Sequence, residues 1–147
     1  AVRDYGARLS SIDGGSLRNA IPREAFAIIT IPGDNVEALW ELVSDYQEMY
    51  RSEYKGIEHN INFTAEMTDM PATLIPEEIQ DDLINAIEGC QNGVISMLVD
   101  FPGTVESSTN LAIVKSSNEM IEIQILVRSS RGESGIFGWL RRMAAEY

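Results

Sequence analysis

The stretch Ser108-Thr109-Asn110-Leu111-Ala112-Ile113-Val114-Lys115-Ser116-Ser117-Asn118-Glu119-Met120-Ile121-Glu122-Ile123-Gln124-Ile125-Leu126-Val127-Arg128 reads as a β-hairpin. Its arms, about 109–115 and 120–127, are rich in β-branched residues, and the polar quartet Ser116-Ser117-Asn118-Glu119 is a short connection. Ile121, Ile123 and Ile125 share one face because strand side chains alternate with period two, and that face is expected to be buried. Further strands are expected at about 7–12, 20–31 and 60–67.

Between these strands the periodicity changes to helical. After Pro32-Gly33, Asp34 and Glu37 have capping-box spacing, and Val36, Leu39, Trp40, Val43 and Tyr50 follow as an apolar stripe. A second helix is expected from Pro76, with Ile79, Leu83, Ile87 and Cys90 on its stripe and Gly93 beyond its end. A third is expected after Ser130 and Glu133, carrying Ile136, Trp139, Leu140, Met143 and Tyr147. The fold class these patterns predict is α/β (α+β), an antiparallel or mixed sheet with helices packed on one face.

With 147 residues, 44% of them apolar, the chain is expected to form one domain with its own core. Residues 34–106 hold 16 acidic side chains against Arg51 and Lys55, whereas the rest of the chain holds 7 acidic against 9 basic. An acidic helical insert at about 34–106 therefore interrupts a near-neutral frame. A net charge of −12 is a poor match to phosphate backbones and anionic membranes. No apolar run approaches the roughly 20 residues that span a bilayer. Ala1 is not an initiator Met and the last helix lacks a stop signal, so a piece of a longer protein is expected.

The inventory of reactive groups is thin. There is no phosphate-binding glycine-lysine loop and no nucleophile elbow. The lone Cys90 excludes an internal disulfide and a zinc site built from several thiolates; its place on an apolar stripe predicts a buried, inert thiol. His59 lacks the neighbours that make a site and is expected at the surface or a strand edge. Tyr46, Tyr50 and Tyr54, four residues apart, form a helix flank rather than a base-stacking platform in so acidic a setting. The pairs Glu77-Glu78 and Asp81-Asp82 suit the first turns of a helix, where negative charge is favoured, better than a metal site.

Two segments carry recognition chemistry. In Gly14-Gly15-Ser16-Leu17-Arg18-Asn19-Ala20-Ile21-Pro22, two glycines open backbone geometries closed to other residues, and Asn19 offers both a donor and an acceptor just before a strand. In Ile125-Leu126-Val127-Arg128-Ser129-Ser130, an apolar strand ends in a guanidinium able to fork onto a carboxylate. On spacing alone, a structural ion pair with a local acid is the commoner use of such an arginine.

These two segments, extended through Arg23-Glu24-Ala25-Phe26 and joined by Ser108-Thr109-Asn110-Leu111, resemble the bacterial aminoacyl-histidine dipeptidases. These are peptidase D or cytosol nonspecific dipeptidases, dinuclear-zinc metallopeptidases related to carnosinase. The likeness is dense from Asp13 to Phe26 and from Asn92 through Ser130 and weaker across the acidic helices. It implies that the chain, residues 1–147, is the greater part of a lid domain inserted into a separate catalytic domain. Two zinc ions and the general base belong to that catalytic domain, so no catalytic or metal-binding residue is expected in this chain, and the isolated piece is expected to be inactive. An oxyanion-stabilising histidine of the lid, in a Gly-Gly-His-Ser-Gly segment, is missing, and His59 does not match it.

The resemblance further implies that Asn19 hydrogen-bonds a dipeptide substrate near its scissile bond or terminal carboxylate and that Arg128 binds that carboxylate. Arg18 and Asn110 are weaker candidates for substrate contact. The partners it implies are the catalytic domain of the same polypeptide, the dipeptide and a second copy in a homodimer, with neither nucleic acid nor membrane, in the cytoplasm. A noncatalytic dimerisation or scaffold domain, and the lid of a related zinc deacylase or tripeptidase, are the alternatives.

Overall fold

A computed structural model describes residues 2–117 and 120–130. The helix expected after Ser130, with Ile136, Trp139, Leu140, Met143 and Tyr147, lies outside the described residues, as do Asn118 and Glu119 of the hairpin connection. The elements run α1 (Val2–Tyr5), β1 (Arg8–Gly14), β2 (Ala25–Thr30), a 3₁₀ turn (Gly33–Asn35), α2 (Val36–Glu53), α3 (Glu77–Gly89), β3 (Gly93–Met97), β4 (Val105–Ser116) and β5 (Ile121–Ser129). The five strands form one sheet in the order β2-β1-β4-β3, with β5 also paired to β4. β1, β3 and β5 all run antiparallel to β4. The chain divides into two units, Ala1–Ser10 with Ile28–Gln80 and Ser11–Ala27 with Asp81–Tyr147.

In the first unit the core is Ala7, Leu9 and Leu39. The residues 73–77 clamp the start of β1: Leu9 O accepts from Ile75 N at 2.8 Å, Ser10 Oγ donates to Thr73 O, and Arg8 Nη2 donates to Ile75 O. Leu9 N–H donates to Oε1 of Gln80, a fully buried side chain, at 2.6 Å. The strand expected at 60–67 is absent, and the backbone bonds explain why. Arg51 of α2 donates to Ile61 O, Phe63 N–H donates to Gln47 Oε1, and the Phe63 ring meets Tyr46 and Tyr50 edge-on at 6.3 and 6.1 Å. Helix side chains take the groups a neighbouring strand would have used. Tyr46 and Tyr50 stack along the helix as the spacing predicts, while Tyr54 lies outside this cluster.

The helix starts need similar correction. Asp34 sits inside the 3₁₀ turn, which makes its own bond from Asn35 N–H to Pro32 O. Asn35 takes the cap position and makes no side-chain cap bond; its amide donates to Tyr5 O instead. α3 begins after Pro76 as expected, but its buried positions are Gln80 and Leu83 while Ile79 is exposed. Leu83, Ile87 and Cys90 keep the expected stripe, and only in the first turn does Gln80 replace Ile79, because it turns inward to serve Leu9.

The second unit is built on β4, whose Ala112, Ile113 and Val114 are all buried and, with Leu83, form the core. The hairpin is present, β4 with β5 in register from Ser107↔Ser129 to Ser116↔Ile121. Its buried face is not the one expected: Ile123 and Ile125 are 37% and 38% exposed. They lie on the outer strand, which among the described residues pairs with β4 alone, so burial falls on the central strand instead. The other edge of β4 is shared between β3, at Val105–Thr109, and β1, at Val114 and Lys115. β3 itself, five residues with register shifts, has too short and irregular a pattern to stand out in sequence.

Candidate functional site

Between β3 and β1 the edge of β4 is closed by individual groups, and this closure shapes the site. Leu111 N–H donates to Asn92 Oδ1 at 2.8 Å, and Thr109 Oγ donates to Gln91 O at 2.6 Å. Opposite, Leu111 pairs with Ile125 and Ile113 with Gln124, so Ala112 is an extra residue that bulges β4. Gly15 packs against this bulge. Its φ is +74°, and a Cβ there would lie 1.9 Å from Ala112 O, so only glycine fits the approach.

From Gly15 the chain leaves β1 in a loop closed at its base by Gly15 N–H donating to Glu24 O at 3.2 Å. At the loop tip, Ala20 N–H donates to Leu17 O, making a turn with Arg18 and Asn19 at its centre. Asn110 Nδ2 donates to Ala20 O at 2.7 Å and to Arg18 O at 3.4 Å. The carbonyls on either side of Asn19 are thus held by one side chain of β4. The strand expected from residue 20 starts only at Ala25: Pro22 has no N–H to donate, and these carbonyls are already engaged.

Register places the remaining residue. Ser108 pairs with Arg128 and Asn110 with Leu126, so Asn110 and Arg128 project from the same face of the hairpin as diagonal neighbours. Such a diagonal spans about 7–8 Å. Arg128 is exposed, and no ion pair involves it among the described residues; the pairs there are Arg8–Glu77 at 3.5 Å and Lys115–Asp13 at 3.2 Å. The local ion pair that spacing alone favoured is therefore not formed with a described acid. Arg18 and Asn19 are exposed, and Asn110 is half-buried with its amide hydrogens directed at the turn. The turn that carries Asn19 is thus tied, through Asn110, to the sheet face that carries the Arg128 guanidinium, and an exposed asparagine and an exposed guanidinium are groups able to recognise a peptide group and a carboxylate.

The other candidates lie elsewhere. His59 is exposed in the segment after α2. Cys90 is half-buried just past α3, donates to Gln91 O at 3.6 Å, and has its thiol pKa pushed up by burial. Among the described residues no three His, Cys, Asp or Glu side chains converge as metal ligands. No helix among them is long and apolar enough to cross a membrane. The Gly15–Ala112 approach and Asn92 were not singled out by sequence reasoning as parts of the site. The Gly14-Gly15 pair is the trace of the approach that the sequence shows.

Comparison with known proteins shows what this architecture is similar to. Residues 2–58 match the M20_dimer family, the peptidase dimerisation domain. The chain is 36% identical over 128 residues to the cytosol non-specific dipeptidase of Escherichia coli (strain K12), covering 87% of this chain and 26% of that protein. It superposes on the crystal structure of aminoacylhistidine dipeptidase from Vibrio alginolyticus with a TM-score of 0.90 and 34% identity, over 98% of this chain and 30% of that one. Residues 2–58 thus resemble a peptidase dimerisation domain, and the α+β fold described above is similar to a portion of these dipeptidases. It spans less than a third of the length of either relative.

Proposed function

We propose that this chain is the lid portion of a dipeptidase, gripping the substrate while hydrolysis is carried out by groups elsewhere in the same polypeptide. The observation that carries it is the exposed Arg128, without an ion pair among the described residues, on the face where Asn110 holds the Asn19 turn. A dipeptide has a free carboxylate one residue from the cleaved amide. A guanidinium satisfies that carboxylate with two charge-assisted bonds, and an asparagine amide nearby can both donate to and accept from the peptide group. Orientation by fixed groups is itself catalytic, since it lowers the entropy lost in reaching the transition state. The names of the two relatives support peptide hydrolysis in the cytosol as the setting, on dipeptides including aminoacyl-histidine. Alone, the 147-residue chain is expected to hydrolyse none of them.

Arg128→Ala in the intact polypeptide tests the assignment. Truncating one partner of such a pair costs about 2–5 kcal/mol, so kcat/KM for dipeptides is expected to fall at least thirtyfold with Tm unchanged. An unaltered kcat/KM would remove Arg128 from the substrate site. A dimerisation-only role has its own support in the family match over residues 2–58 and in the exposed isoleucines of β5. That role leaves Arg128→Ala fully active while an Ile123→Glu, Ile125→Glu variant loses the dimer.

A further inference from the structure

The turn that presents Asn19 has no regular secondary structure of its own, and its tip is exposed at Leu17 and Ile21. A two-residue turn so exposed gains little order from packing, and an asparagine presented on it would sample many positions. Two features of β4 restrain it. At its base, Gly15 is seated against the Ala112 bulge. At its tip, the two hydrogens of a single amide, Asn110 Nδ2, reach the carbonyls of Arg18 and Ala20, the residues immediately before and after Asn19. Because both partners are carbonyl oxygens, the nitrogen end of the Asn110 amide must face the turn. Its capacity to donate is thereby used, and its side chain acts toward the turn rather than toward a ligand.

The placement also ties the turn to Arg128. Asn110 sits on β4 two positions from Ser108, whose cross-strand partner is Arg128. The β4–β5 register therefore sets the spacing between the point where the turn is gripped and the guanidinium. We propose that Asn110 is a positioning residue, which acts through Asn19 by fixing the carbonyls of Arg18 and Ala20, the residues before and after it, at a set distance from Arg128. This rests on the reading that Asn19 contacts the dipeptide, and it replaces a direct substrate contact for Asn110 with an indirect one.

The test is a double-mutant cycle on the intact polypeptide with a dipeptide substrate, using Asn19→Ala, Asn110→Ala, Asn110→Asp and the Asn19→Ala, Asn110→Ala pair. Asn110→Asp keeps the shape and removes the donor, so it separates donation from packing and covers the case in which Asn110→Ala folds poorly. Losing both bonds, one of them long at 3.4 Å, is expected to lower kcat/KM by at least about three- to tenfold in either Asn110 variant. In the Asn19→Ala background the Asn110→Ala change is expected to add less than twofold, because the group being positioned is already gone. If Asn19→Ala is impaired while both Asn110 variants match the wild type, the positioning role is overturned and the substrate role of Asn19 stands. Losses that multiply in full would assign Asn110 an independent role, also against the proposal. A fully active Asn19→Ala overturns the substrate reading itself, and the positioning role with it.

Discussion

At the scale of single residues, the site depends on groups whose cost of change can be stated in advance. Gly15 combines a φ of +74° with a backbone oxygen 1.9 Å from where its Cβ would be. Gly15→Ala is therefore expected to destabilise by at least about 2 kcal/mol, from left-handed strain and the forced movement of the Ala112 peptide. Urea unfolding would show it as a lower midpoint at unchanged slope; a midpoint equal to the wild type would mean that the bulge yields freely. Cys90 sets an opposite expectation, of inertness. Burial raises its pKa, so less thiolate is present near pH 8 than at a free thiol. The sign for stability follows: the contribution is intact below the ordinary thiol pKa and is lost as pH rises through the raised value. Labelling by a disulfide reagent at pH 8 is expected to be several-fold slower in the native protein than in urea, and equal rates would show Cys90 to be open.

Elements are joined here largely by side chains reaching for backbone. Gln80 is the sharpest case: its Oε1 serves Leu9 N–H, while its buried Nε2 has no partner among the described residues. Gln80→Met keeps the volume, removes the unpartnered amide and leaves Leu9 N–H bare, for an expected net loss of about 1–2 kcal/mol. Gln80→Ala adds a cavity to the same loss and is expected to cost about 2–4 kcal/mol. Equal thermal stability of the two variants would show that the cavity closes. Bonds of this kind also mark the limit of what the sequence discloses. The 108–128 hairpin, α2 and α3 follow from periodicity, because a strand or helix writes its own period into the chain. The 61–63 segment does not, since its fate is decided by Arg51, Gln47 and two tyrosines ten or more residues away. The same holds for the site: Asn19 and Arg128 are legible as residue types, but what links them, Asn110 on the face of Arg128 and bonded to the turn that carries Asn19, comes from the pairing of Ser108 with Arg128 and from the reach of Asn110 across ninety positions. The bulge at Ala112, against which only glycine fits at position 15, shows in the sequence only as the Gly14-Gly15 pair.

For the molecule as a whole, charge is the property that every assembly must contend with. Each chain has a formal charge of −12, concentrated between residues 34 and 106. If the dimerisation domain matched at residues 2–58 joins two copies, their like charges oppose association over a range set by the Debye length. That length is about 30 Å at 0.01 M ionic strength and about 8 Å at 0.15 M, so added salt removes most of the repulsion and little of the apolar attraction. Self-association is therefore expected to tighten between 10 mM and 150 mM salt, several-fold in Kd, as measured by sedimentation equilibrium. Weakening over the same range would mean that the interface is held by ion pairs between copies, in which the few basic residues of the frame would have to meet the acidic segment of the partner. A monomer at both salt concentrations, and at the highest protein concentration reached, would remove the homodimer and leave substrate gripping as the proposed role, supported by Arg128 and the turn that Asn110 holds. The two measurements are independent, because salt acts on the long-range field of the whole chain, whereas Arg128→Ala alters a single guanidinium whose effect is read in kcat/KM.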